Sequence, residues 1–535
     1  MRKREIALTS LLILVLFTTA CTSGVIQTTT ASTTGAITTQ APTTVKDDRV
    51  RGGTIKIAVS ADATTLKSYR LRGPTDRAYG CVIFETLLSL NAQGSPEPFL
   101  AESITEDVEG LAYIIKLKEG IMFQDGSELD AEVCKWNLDL YNEKGVQNKA
   151  FFKSVKSFEV VDKYTVKINL NEWDALIPLY LARQGGAGYM ISKLAWDTYG
   201  EDYCAENPVS TAPFKVVAWN RDVGMKLEKF EGYWQGEPYL DGVEFEIYST
   251  PLVAQAAFLT GDVHAQMISD NTVAKYLEGQ GFTVTKSNIP GQCYTVCFQC
   301  LDPDDPFYNK TLRQAAMYAI NPQEFVDTVF AGYSEITNQY AKKGTTYYND
   351  KVEGYPYNPE KAKQLLIEAG YPNGFKTVIT VGTAALAQNI AQILKEQLAK
   401  VGITLDLNIT DTAGESTTVD NWGKGIYVHA MGADPGAAAI LAGSYASGLS
   451  SGIGHSAFSR PDGLSYLIEQ GKSSGLEESI DYFKQAMKLV YDDGGFIKAL
   501  AMIYQSSVTS PKLHDANFGE TVGTSSDLWD AWLEK

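Results

Sequence analysis

Between positions 54 and 59 the chain alternates polar and apolar side chains, Thr-Ile-Lys-Ile-Ala-Val, as a half-buried strand must. The folded body is therefore expected to begin just behind Arg51-Gly52-Gly53. Leu111, Tyr113, Ile115 and Leu117 repeat the period of two. Asp125-Gly126 then supplies a turn, and Asp130 stands where it caps a helix carrying Val133, Trp136 and Leu140 on one side. Phe158 and Val160, followed by Tyr164, Val166 and Ile168, flank Asp162-Lys163 as the arms of a hairpin. Phe214 to Trp219 with Met225 and Leu227 predict another, so the first half is rich in strands.

In the second half the period changes. Asn358, with Pro359 at the first helical position, opens a helix with Ala362, Leu365, Leu366 and Ala369 on one side and Gly370 at its close. Ile390, Ile393, Leu394, Leu398 and Val401 define a longer helix that stops at Gly402 and passes directly into alternating Ile403, Leu405, Leu407 and Ile409. This is an α/β unit. Such units build sheets covered by helices, with ligands at strand ends or between lobes.

The chain's 535 residues exceed what one hydrophobic core organises, so two or more lobes are expected. A net charge of -18 argues against nucleic acid as a partner, because phosphate backbones attract a basic footprint. With 44% hydrophobic and 11% aromatic residues the composition is globular, and the acidic excess reads as a solvated surface.

The first residues read as an address. Arg2, Lys3 and Arg4 precede an apolar run from Ile6 to Phe17, too short to span a membrane comfortably, which is the form of an export signal. Thr18-Thr19-Ala20-Cys21 resembles the lipobox of bacterial lipoproteins, with Thr18 where leucine is usual. Cys21 is thus the expected lipidation site, and cleavage after Ala20 without lipid is the alternative. Residues 22–49 begin with a threonine-dominated stretch that cannot bury enough apolar surface to fold, and they read as a tether. Six further cysteines, Cys81, Cys134, Cys204, Cys293, Cys297 and Cys300, can be buried thiols or disulfides in an exported chain.

Candidate chemistry is sparse. Cys293, Cys297 and Cys300 have a C-x3-C-x2-C spacing used to hold iron-sulfur clusters, but the run reads as a strand in an exported protein. Gly471-Lys472-Ser473-Ser474-Gly475 matches a nucleophile elbow, which needs a strand before it; helical patterns flank it on both sides, so a connecting loop is expected. His264, His429, His455 and His514 are too widely separated to support a zinc cluster or a catalytic base. No enzyme activity, metal or cofactor is expected. An exported hydrolase and a surface adhesin are the rival classes.

Six blocks occur in the order found in the bacterial extracellular solute-binding family that includes the oligopeptide-, dipeptide- and nickel-binding proteins. They are PFLAES at 98–103 running to LKEGIMFQDG at 117–126, NPVSTAPF at 207–214, YWQGEPYLD at 233–241, LTGDV at 259–263, LRQAAMYAIN at 312–321, and YNPEKAK with LLIEAGY at 357–371. The chain resembles that family over nearly its whole mature length. It departs at Ser210-Thr211-Ala212-Pro213, where two customary glycines are missing and a turn can differ locally.

The resemblance implies an α/β, two-lobed periplasmic-binding-protein-like fold with hinge crossovers and an additional subdomain inserted in the first lobe. The implied first lobe comprises 50–95, 207–291 and 502–535, with 96–206 as the insertion; the second lobe is 292–501. It also implies a substrate-binding lipoprotein of an ABC importer, a monomer held to the membrane by lipid, delivering an oligopeptide or dipeptide to permease subunits. Relatives of similar pattern carry nickel chelates or sugars instead. Peptide-binding members pair an aspartate with the ligand's ammonium terminus, and Asp434 occupies the matching stretch, although an aspartate before Pro435 also suits a turn. Tyr294, Phe298, Gln299 and Trp422 are candidate pocket walls, although strand aromatics are commonly buried and each of the four reads more readily as core. Arg313 could partner a carboxylate, but its helical block favours a structural role.

Overall fold

The computed structural model describes residues 49–535 apart from 72, 147–152, 184, 269–270, 412–413, 415–422, 433–435, 446–457, 459 and 519–527. The export signal, Cys21 and all of the tether but Arg49 lie outside the described residues, as do Trp422 and Asp434. No helix among the described residues is long and apolar enough to cross a membrane.

Two large sheets organise the molecule. The first has seven strands in the order Thr283–Lys286, Ser506–Thr509, Ala265–Ile268, Thr54–Val59, Gly242–Ile247, Gly224–Lys229 and Phe214–Asn220. Its central strand Thr54–Val59 runs parallel to both neighbours, and Ile55, Ile57 and Val59 bury on one face while Ala58 enters a separate core on the other. A strand covered on both sides needs apolar residues at successive positions, which is why strict alternation gives way at Ala58-Val59. The second sheet has six strands in the order Glu335–Ile336, Ile497–Ile503, Gln292–Phe298, Ile426–Gly432, Phe375–Gly382 and Ile403–Thr410. A four-stranded antiparallel sheet, Ala101–Asp107, Ala112–Leu117, Thr165–Leu170 and Val155–Asp162, forms a separate layer attached to the first lobe.

Local signals account for these elements. Asp130 Oδ1 accepts from Val133 N at 3.0 Å and starts the helix Ala131–Lys144. Leu140 is buried as expected, but the core-facing stripe is Cys134, Leu138 and Tyr141, and Val133 and Trp136 sit half-buried at its edge. The side chain of Asn358 accepts from Lys361 N at 2.9 Å, and Pro359 begins the helix Pro359–Glu368. The helix Ala385–Ala399 leads through Gly402, at φ +97°, into Ile403–Thr410. A Cβ on Gly374, the residue before the partner strand, would come within 1.9 Å of the Gly402 carbonyl oxygen, so both turn positions require glycine. Ser210 takes the place of a glycine by using its hydroxyl, which donates to Ile83 O at 2.5 Å and accepts from Ala212 N at 3.1 Å.

The chain passes between the two large sheets twice, after Lys286 and after Ile503. The crossing segments are bonded to each other, Ser287 N to Gln505 O at 2.9 Å and Gly291 N to Ile503 O at 3.1 Å. The second sheet continues to Ile503, which pairs with Gln292, so the return crossing falls at Tyr504-Gln505 and not directly after Ala501. The halves also touch away from this double strand. Trp173 Nε1 donates to Ser474 O at 2.7 Å, and Ala175 N donates to Lys472 O at 2.9 Å. Ser474-Gly475 is the link between the helices Leu464–Ser473 and Leu476–Lys488, with no strand before it, which removes the nucleophile-elbow geometry.

Candidate functional site

Parallel strands leave their carboxyl ends free for ligands, and here they open toward the double crossing. Val59 and Ser60, at the end of the central strand, and Met267-Ile268, at the end of its neighbour, form one wall of a cavity of about 870 Å3. The helix Gly73–Ile83 adds Thr75, Ala78 and Tyr79 to that wall. The opposite wall comes from the second lobe: Gln292 and Tyr294, the turn Thr328-Val329-Phe330, and the first turns of Ala385–Ala399 through Leu386, Asn389, Gln392 and Ile393. Ile503, Tyr504, Gln505 and Ser506 of the return crossing complete it. The cavity therefore draws on both lobes and on the segment that joins them.

The chemistry of the described wall is neutral. It combines aliphatic and aromatic surface with carboxamides (Asn271, Gln292, Asn389, Gln392, Gln505) and hydroxyls, and no charged side chain occurs among its described residues. Tyr79 is fully buried, its hydroxyl donating to Ala61 O at 3.2 Å, and burial holds its phenol well above the ordinary tyrosine range, so it stays uncharged. Ser506 Oγ is buried and has no hydrogen-bond partner among the described residues, an unmet donor and acceptor at the cavity edge. Such a wall can hydrogen-bond amide or hydroxyl groups of a solute while packing on its apolar parts.

The sequence-derived candidates separate here. Tyr294 reaches the cavity wall, its ring 5.8 Å from that of Phe330. Phe298 does not: it is 0% exposed at the other end of the same strand, against Phe307 at 5.0 Å in the second lobe's core. Gln299 is also buried, and its Oε1 accepts from Leu301 N at 2.7 Å, which makes it part of a turn and not a wall. Arg313 is tied to the main-chain carbonyls of Gly495, Phe307 and Tyr308, so its guanidinium serves the core. All six described cysteines are buried, and burial pushes Cys297 up to about 12, where it is an inert thiol. Asn389, Gln392 and the return crossing were missed by sequence reasoning. The helix stripe of Ile390, Leu394 and Leu398 could have revealed Asn389 as its off-face neighbour, but nothing local marks which exposed face meets another lobe.

Two lobes built on mixed sheets, joined by paired crossing segments with a cavity between them, define a two-lobed binding-protein fold. Residues 95–451 match the family described as bacterial extracellular solute-binding proteins, family 5 middle region, and the chain belongs to that family. The glutathione-binding protein GsiB of Salmonella paratyphi A is 32% identical over 375 residues, covering 69% of this chain and 72% of that protein. Among solved structures, the ABC transporter-associated periplasmic binding protein DppA from Helicobacter pylori, in complex with the peptide STSA, superimposes with a TM-score of 0.72 at 23% identity, covering 92% of this chain and all of that one. The ABC transporter substrate binding protein CtaP from Listeria monocytogenes does so with a TM-score of 0.78 at 23% identity, covering 91% of this chain and all of that one.

Proposed function

We propose that this protein is the solute-capturing component of an ATP-driven importer, taking a peptide-like solute into the cavity between its lobes and delivering it to a membrane permease. The observation that carries this reading is the cavity of about 870 Å3 at the double crossing, walled by both lobes. A solute that touches both walls is bound best when the lobes are closed, so occupancy becomes a shape that a transporter can recognise. The carboxamides of the wall suit the main-chain groups of a peptide, and the relatives named for glutathione, itself a tripeptide, and solved with STSA support the same cargo class. The lobes divide as 50–95, 207–291 and the C-terminal return against the stretch from 292 onward, with 96–206 inserted, a division supported by the strands each sheet recruits. The protein acts as a monomer outside the cytoplasm, held to the membrane by lipid on Cys21 through the threonine-rich tether. Asp434 pairs with the ammonium terminus of the cargo.

Thermal unfolding with peptide pools tests the capture. A peptide present at a hundredfold excess over its dissociation constant stabilises the fold by about 2.7 kcal/mol, whereas a hydrolase would consume it and an adhesin would ignore it. Calorimetry on Asp434→Asn is expected to show affinity for that peptide weakened by about 1.5 to 3 kcal/mol with the fold intact. Unchanged affinity removes Asp434 from the site. Replacing Cys21 by alanine should shift the protein from the membrane fraction to the medium, and retention at the membrane would refute the anchor.

A further inference from the structure

A second cavity, of about 390 Å3, opens on the second lobe and shares no lining residue with the one between the lobes. It lies between the edge strand Glu335–Ile336, the loop carrying Lys342, Lys343, Glu353 and Tyr355, and the strand Ile497–Ile503. Lys498 stands in its wall and is 5% exposed. Its ammonium donates to the carbonyls of Met317, at 2.7 Å in the last turn of the helix Lys310–Ala319, and of Tyr355.

Those two acceptors leave a third N–H of the ammonium without one among the described residues, and no described carboxylate pairs with the group. A buried cation lacking a counter-ion is unfavourable, and the usual remedies are loss of the proton or arrival of an anion. Burial draws Lys498 down to about 7, so the first remedy is partly in force at neutral pH. The remaining titratable groups of the wall do not supply the second. Tyr355 and Tyr491 are held above the ordinary tyrosine range by burial and stay neutral, Tyr348 is a further phenol, and Lys342 and Lys343 add positive charge at the rim. Of the two wall carboxylates, Glu335 accepts from Tyr504 Oη at 2.8 Å, and Glu353 is exposed.

We propose that this pocket is a second binding site, for a small organic carboxylate, seated on Lys498 with Lys342 and Lys343 at its mouth. Its volume falls within the range of small-molecule sites. The site adjoins the hinge: Glu335 of its wall holds Tyr504, and Lys342 lies 5.1 Å over the same ring, which in turn lines the interlobe cavity. The inference rests on Lys498 and its pocket and is independent of what the interlobe cavity binds.

The test is isothermal titration of the full-length protein with succinate, in pairs of buffers that differ in ionisation enthalpy. At about pH 8.5 Lys498 is largely neutral in the free protein, so binding takes up ~1 proton per succinate, and the uptake becomes much smaller at about pH 6.5, where the group is mostly charged and succinate is still a dianion. Lys498→Met is expected to lose both the proton uptake and at least ~10-fold in affinity, and Lys343→Glu, an exposed change that leaves the core untouched, should weaken succinate by several-fold. The Lys343 variant and the wild-type proton count decide the matter even if Lys498→Met does not fold. Absence of succinate binding, binding without proton uptake at the higher pH, or affinity indifferent to Lys343→Glu overturns the proposal.

Discussion

Tyr294 and Phe298 lie four residues apart on one face of the strand Gln292–Phe298, yet one faces the cavity between the lobes and the other is sealed in the second lobe's core. Both belong with Val296 to the same side, while Cys293 and Cys297 turn to the opposite face and join a different core. At about 3.3 Å per residue the pair is separated by only ~13 Å along the strand. Alternation thus assigns a face, and distance from the crossing segment assigns its role. The strand enters from the hinge at Gln292, so its first residues meet the other lobe and its last meet helices of their own.

The comparison can be broken most sharply at its buried end. Phe298→Ala is expected to cost about 3–5 kcal/mol in urea unfolding, with solute affinity unchanged in whatever protein remains folded. A variant of normal stability and poor affinity would invert the two roles. Arg313→Met, which strips donors from three main-chain carbonyls in the same core, should cost about 3 kcal/mol by the same measurement and again spare the solute. If affinity falls while stability holds, Arg313 belongs to the site after all. Tyr294→Ala tests the other end: calorimetry is expected to show affinity for a peptide ligand lowered about tenfold, or ~1.4 kcal/mol, with a smaller loss of stability. Equal affinities in the variant and the parent would erase the distinction between the two tyrosine and phenylalanine positions.

The smallest expected effect lies far from both ends and serves as a control. Glu201, in the inserted part of the first lobe, is pulled down to about 2 by Lys144 of the same part and by Lys67 and Tyr69 of the lobe's opening segment. Because its folded value lies below the ordinary 4.5, its contribution is fully present above that pH and is lost as the pH falls through about 2. Glu201→Gln should therefore destabilise by about 1 kcal/mol at neutral pH, the scale of a solvent-screened network, with the difference from the parent vanishing toward pH 2 in thermal melts. A pH-independent difference would mean that packing, not charge, is what the glutamate provides.

Much of the secondary structure was legible. Asp130, Asn358 with Pro359, and Gly402 each act through bonds or dihedral angles within a few residues of themselves, so their signals survive without tertiary context. The helix Ala131–Lys144 shows the limit: its start was clear, but its buried stripe turned to Cys134, Leu138 and Tyr141 once the surrounding elements set the angle of packing. For the site, the residue type of each wall candidate was readable and its position was not. Tyr294, near the start of one strand, and Gln299, just past its end, are both polar-tipped residues, and only the first has the other lobe opposite it.

By itself the sequence determined the family, the α/β elements and the points where helices begin and strands turn, because these depend on short-range geometry and on blocks that persist in order along the chain. Only the tertiary structure decided which faces meet across the two crossings, placing Asn389, Gln505 and Ser506 in one cavity and burying Phe298 and Lys498. Asn389 comes from a segment more than a hundred positions before Gln505 and Ser506. Their proximity is a property of how the sheets are joined and packed, which no local pattern of side chains encodes.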